Sequence, residues 1–318
     1  MSRRGWVLFA AMSVIWGIPY LLIKVAVSGV PVPIVVLARV GIGAALLLPL
    51  AVRGRQLSAL RRHWPWLVAF ALTEIIIPWL LLSEAETRLS SSLSGLLVAS
   101  VPIIVVVLGR LTGGNERLSA LRWTGLLAGL AGVALLAAPT AAGGDALSIT
   151  EVLAVAVCYA IGPLIASRKL GDMPPLGMTA VCLGLAAVVY APLAAVSWPS
   201  AMPSWRVLGA LAGLAVVCTA AAFLLFFRLI AEAGPSRALV FTYVNPAIAV
   251  ILGVSVLGER FTPAMGGAFA LILGGSVLAT RGRGAAESGT GAAPEPLEPV
   301  AEALPESMPG PACAPGRP

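Results

Sequence analysis

Ten apolar stretches, most near the ~20 residues that carry a helix across a ~30 Å hydrocarbon core, alternate with short polar connections along this chain. They run at about 6–27, 32–52, 65–84, 90–111, 119–138, 149–168, 174–196, 205–230, 237–257 and 264–281. The connections are rich in Gly, Pro, Ser or charge, as helix ends and turns are. The pattern predicts an all-α integral membrane protein of ten transmembrane helices. Basic residues orient it. With the N-terminus inside, fifteen Arg or Lys fall in the inner connections and only Arg88, Arg206 and Arg260 in the outer ones. That positive-inside bias predicts both ends in the cytoplasm.

One of these stretches is written twice. Val244-Asn245-Pro246 opens an apolar run that reaches Gly253 seven positions after the proline and ends on Gly258-Glu259-Arg260. Upstream, Pro102 is followed by Gly109 at the same spacing, then by Glu116-Arg117. Trp16 pairs with Tyr159 and, 33 residues on in each half, Pro49 with Pro192, while Trp79 and Phe223 each stand 23 residues before the repeat's proline. The chain is therefore expected to consist of two halves, 1–138 and 149–281, followed by a tail at 284–318. Five spans per half is an odd number, so the second half enters the membrane in the opposite sense. In membranes such inverted repeats are typical of transporters, with the site near the midplane where the halves meet. The tail carries eight prolines and five glutamates, a composition that buries no core and predicts a disordered cytoplasmic segment.

Composition sharpens the class. The chain is 59% hydrophobic and 11% charged, against roughly 25% charged in soluble domains. The net charge of +7 belongs to the inner loops and does not suggest nucleic acid as a partner. Nineteen of the 21 basic residues are arginine, a hint of a GC-rich, bacterial genome and so of a cytoplasmic membrane. Arg3 and Arg4 read as anchor charges ahead of a span too long for an export signal. Cys158, Cys182, Cys218 and Cys313 are scattered and lack a histidine partner, so neither a disulfide framework nor a metal site is expected. No Walker sequence points to ATP, and no cofactor is expected. The partners are a lipid bilayer and a small-molecule substrate; the oligomeric state is left open.

These residues resemble the EamA family of the drug/metabolite transporter superfamily, present as two tandem copies. The likeness rests on Ile15-Trp16-Gly17, on Arg39 near the start of span two, on the proline-to-glycine spacing closed by Gly-Glu-Arg, and on the glycine-bearing last span of each half. It covers about residues 6–281. The first copy departs from the pattern by one extra residue before Glu116. The resemblance implies a ten-helix inverted-repeat carrier of small organic metabolites, often moving them outward.

The candidate chemistry is charge at membrane depth, which costs at least ~2.5 kcal/mol and tends to face a cavity or a partner. Arg39 lies ~10 Å below the outer boundary at 1.5 Å per residue, and a planar guanidinium suits a substrate carboxylate. Ser13, Trp16, Tyr20 and Lys24 share one helix face, either a cavity wall or plain packing, and Pro19 would loosen that helix. Glu74, with Pro78 and Trp79 a turn later, is the proton-coupling candidate, since low dielectric disfavours an ionised carboxylate; a buried pair with Arg39 or Lys24 is the bland alternative. Trp79, Tyr159, Phe223, Tyr243 and Asn245 complete the substrate-binding set. Pro102, Glu116, Arg117, Pro246, Glu259 and Arg260 are read as structural, tying turns to neighbouring helix ends or latching a gate. The rivals are a membrane enzyme or a receptor. A hydrolase built on Ser90-Ser91-Ser92 fails because His63, the only histidine, is expected on the opposite membrane face.

Overall fold

The computed structural model describes residues 2–57, 60–111, 119–140, 143, 145–234 and 238–280. Glu116, Arg117 and the 284–318 tail lie outside the described residues. Among the described residues the regular elements are all helices. Nine are long and apolar enough to cross a membrane: α1 Arg3–Val27, α2 Val32–Arg53, α3 Arg62–Arg88, α4 Ser91–Leu111, α5 Ala120–Ala137, α6 Ala146–Lys169, α7 Pro175–Val196, α8 Trp205–Ala233 and α9 Leu239–Leu257. A shorter apolar helix, α10 Pro263–Ala279, follows.

Three helices that line the interior are irregular, two of them beside a proline. α1 breaks between Ile15 and Pro19, because a proline nitrogen has no hydrogen to give the preceding turn. Gly17 in that break lies against α9, where a Cβ would stand 2.5 Å from the Ile248 Cβ. α3 widens into a π turn at Leu72–Ile76 just before Pro78. α8 carries a longer π stretch at Gly213–Ala221. In the register that aligns Trp79 with Phe223, the first π turn falls inside the second. π turns are rare and are frequent at functional sites. In α9, Pro246 sits in the first turn of the regular helix, after a tight 3-10 turn at Leu239–Tyr243. A missing N–H is harmless there, and Pro246 acts as a helix start, not a mid-helix kink.

The halves cross at α4 and α9, where a Cβ on Gly95 would lie 2.7 Å from that of Ala249. α5 and α10 pack backbone to backbone: a Cβ on Gly275 would stand 2.5 Å from the Gly125 carbonyl oxygen and 2.5 Å from the Gly129 nitrogen. Small residues permit such an approach in a bilayer, where packing and not hydrophobic exclusion holds helices together. Their 125-x-x-x-129 spacing serves packing within the chain.

Candidate functional site

Arg39 is 8% exposed, and its surroundings come from both halves. The guanidinium carbon stands 3.6 Å from the centroid of the Trp79 ring, a cation–π contact from α3. Its Nε donates to the Thr219 hydroxyl at 3.0 Å. Thr219 lies in the π stretch of α8, and its own hydroxyl donates five residues back to the Leu214 carbonyl at 2.9 Å. The wide turn thus positions the acceptor for Arg39. Tyr20, Tyr159 and Glu86 stand within its electrostatic reach. The Tyr159 hydroxyl also meets the Trp79 side chain. Among the described residues no carboxylate comes within ion-pair distance of Arg39. Arg39 is thus a buried cation carrying one neutral hydrogen bond and one aromatic face.

The two π turns make reciprocal contacts. As α2 of the first half reaches the π stretch of α8, α7 of the second half reaches that of α3, where the Tyr190 hydroxyl donates to the Ile76 carbonyl at 2.6 Å. Glu74 lies in this turn, packed against Gly162 of α6 so closely that any Cβ there would collide with its carboxylate. One of its oxygens is buried and has no hydrogen-bond partner. Glu74 pairs with neither Arg39 nor Lys24.

A second cluster lies nearer the inner side, in the orientation that the basic loops predict. Trp16 meets Phe223, Phe226 and Phe241 with ring centroids 5.8, 5.0 and 5.3 Å away, and Phe223 stacks on Phe227 at 6.1 Å. Phe227 also lines a cavity of about 300 Å³ with Gln56, Leu176 and Arg228. A hollow of about 660 Å³ opens at the other end, between the α1–α2 and α7–α8 connections.

The remaining candidates have specific partners. Lys24 donates to the carbonyls of Glu86 and Leu89 at 2.6 and 2.7 Å, capping the end of α3. The Asn245 carboxamide, oriented so that its nitrogen donates, ties α9 to the Ser13 carbonyl of α1 and to Phe241, both at 3.1 Å. Tyr243 is half-buried one turn from the aromatic cluster. His63 pairs with Asp172 at 3.2 Å, and Ser90 caps α4 through the Leu93 N–H, so serine and histidine serve separate ends.

Glu259 caps the same helix. Gly258, at φ +69, turns the chain out of α9, as glycine does at helix ends. The Glu259 carboxylate then accepts from the N–H groups of Ser91 and Ser92 at 2.7 and 2.9 Å and from the Ser92 hydroxyl. A carboxylate at a helix N-terminus answers both the free N–H groups and the macrodipole. Partial burial pushes this acid up, but the Ser92 and Ser91 hydrogen bonds outweigh burial and hold it below its ordinary range. Gly253 is required nearby, since a Cβ there would strike Ser92 and Glu259. Arg260 is exposed.

Two residues escaped the sequence. Thr219 reads as one hydroxyl in an apolar run. Glu86 fell beyond the expected end of span three at 84, whereas α3 continues to Arg88 and buries Glu86 completely.

The EamA-like transporter family matches residues 3–138 and again 147–281. The chain is 28% identical over 281 residues to "Uncharacterized inner membrane transporter YedA" of Escherichia coli K12, covering 86% of this chain and 89% of that protein. It is 25% identical over 268 residues to "Uncharacterized transporter YvbV" of Bacillus subtilis strain 168, covering 82% and 86%. A solved crystal structure superposes with a TM-score of 0.62 at 24% identity, covering 87% of this chain and 96% of that one; at that identity the likeness concerns the fold alone.

Proposed function

Since the chain belongs to the EamA-like transporter family and is a multi-pass membrane transporter, not an enzyme, we propose that it is a secondary carrier of small organic carboxylates, amino acids among them. It works by alternating access, carrying substrate outward in exchange for protons. The observation behind this reading is Arg39: a buried guanidinium with no carboxylate partner among the described residues, held by Trp79 of one half and Thr219 of the other. Rocking the halves separates Trp79 from Thr219, so the strength of anion binding is tied to the conformational state. A substrate carboxylate takes the donors that Thr219 leaves, bidentately where the fork is free.

The aromatic cluster around Trp16 supports a cargo with an apolar or aromatic body. It favours a second reading too, an amphipathic drug-like substrate, for which Glu74 would supply the balancing charge. On either reading Glu74 is the coupling residue, because it combines a carboxylate at mid-membrane with a buried, unpartnered oxygen.

A panel of amino acids, other small carboxylates and amphipathic cations, tested in reconstituted vesicles with and without a pH gradient, decides between the two. The carboxylate reading predicts saturable, gradient-stimulated flux of anionic or zwitterionic solutes. Glu74→Gln should abolish the stimulation and leave exchange at zero gradient in place. Absence of flux across the whole panel contradicts the carrier reading, and undiminished stimulation in Glu74→Gln contradicts the coupling role.

A further inference from the structure

A second carboxylate on α3 is stranded more completely than Glu74. The Glu86 side chain is 0% exposed, and neither of its oxygens has a hydrogen-bond partner. Lys24 is the adjacent cation, yet its ammonium is bound to the backbone carbonyls of Glu86 and Leu89 and forms no ion pair with the carboxyl group. The charged and titratable groups facing Glu86 are Lys24 and Tyr20 from α1, Arg39 from α2 and Glu259 from the end of α9. Of these Glu259 is an anion, fixed by the start of α4.

An ionised carboxylate in such a place loses its hydration and gains no ion pair, an unfavourable arrangement for a buried charge. The neutral acid avoids that penalty. To accept the ionised form, the pocket must bring a donor, and the Lys24 ammonium, already bound to the Glu86 carbonyl, is the cation beside it. Two of its three N–H groups are held by the α3 carbonyls, so drawing the ammonium toward the carboxylate weakens the cap on the outer end of that helix. The uncapped residues lead directly into Ser91 and Ser92, the two held by Glu259. Proton loss at Glu86 and loosening of the outer closure therefore draw on the same side chain.

We propose that Glu86 is the outward proton-binding site of the carrier, neutral while the outer end is closed and ionised, paired with Lys24, when it opens. The proton passes between the carboxyl group and the outer aqueous phase, entering from that side when substrate leaves. This inference rests on the carrier reading and adds to it the place where the exchanged proton leaves or enters.

The test needs no substrate. The full chain in lipid nanodiscs is titrated by infrared spectroscopy, which reads the C=O stretch of protonated carboxyl groups. In parallel, a cysteine at the fully buried Ser94, with the native cysteines replaced, is labelled by a maleimide at a series of pH values. Rates are normalised to the same cysteine in denatured protein. A titrating carboxyl band should vanish in Glu86→Gln and persist in Glu74→Gln. Labelling should rise with pH by up to ~10-fold per pH unit, the limit for one proton, and become pH-independent in Glu86→Gln. If Glu86→Gln does not fold, Glu86→Asp must shift both profiles. A band and a labelling profile that survive either Glu86 variant unchanged overturn the proposal. That outcome leaves vesicle flux intact, whereas failure of the carrier reading abolishes flux and leaves the band.

Discussion

Arg39 and Glu259 are both charged, half or more withdrawn from water, and put to opposite uses. Glu259 is saturated: three donors from α4 satisfy its carboxylate. Its role is structural, and the consequence is a pH-dependent contribution to stability. Because folding lowers its proton affinity, the contribution is complete above the unfolded carboxylate pKa of about 4.3 and disappears as pH falls through the lower folded value. Glu259→Gln should thus destabilise the protein by about 1 kcal/mol at neutral pH, the usual scale for a lost helix cap. Thermal unfolding followed against pH checks this, with the gap to wild type closing below about pH 4. Arg39, by contrast, was conspicuous in the sequence as a charge within an apolar run, and its depth marked it as a candidate. Its partner Thr219 was not legible, because a hydroxyl becomes a designated acceptor only where the backbone turns it. Glu86 was hidden for another reason: polar residues at the end of a span look like the start of a loop until the helix is seen to continue.

At the scale of elements, the ten spans and their repeat followed from hydropathy and from the proline, glycine and glutamate spacing. The π turns of α3 and α8 did not. A stretch apolar on every side carries no periodicity to show that its pitch has changed, and Pro78 marks only one of the two. The Tyr190 bond to Ile76 supports the first of them across the halves. Tyr190→Phe should therefore lower stability by about 1 kcal/mol, seen as a reduced thermal midpoint in detergent. The α5–α10 seam is less forgiving. Gly275→Ala places a methyl group against the Gly125 and Gly129 backbones, where no side chain can rotate away. A loss of about 1–3 kcal/mol and a fall in purified yield are expected, against little change for Gly274→Ala, which meets no neighbour within 4 Å.

For the whole molecule, two odd-numbered halves of opposite sense build one interior in which α2 of the first half meets α8 of the second and α7 meets α3. That arrangement surrounds Arg39 with residues of both halves while the charge comes from one: Cys182 stands in the register of Arg39, and Cys218 in that of Glu74. An asymmetric charge in a symmetric frame suits a carrier whose two end states resemble each other and whose substrate binds a single fixed cation. Counterflow in reconstituted vesicles tests this most directly. Vesicles preloaded with unlabelled small carboxylates or amino acids are given a labelled tracer of the same compound, for wild type and for Arg39→Gln. Saturable tracer uptake is expected for at least one such compound in wild type, with apparent affinity weakened about 10- to 100-fold in Arg39→Gln, the equivalent of ~1.5–3 kcal/mol for a hydrogen bond to a charged group. Equal counterflow of anionic substrates by the two proteins would contradict it.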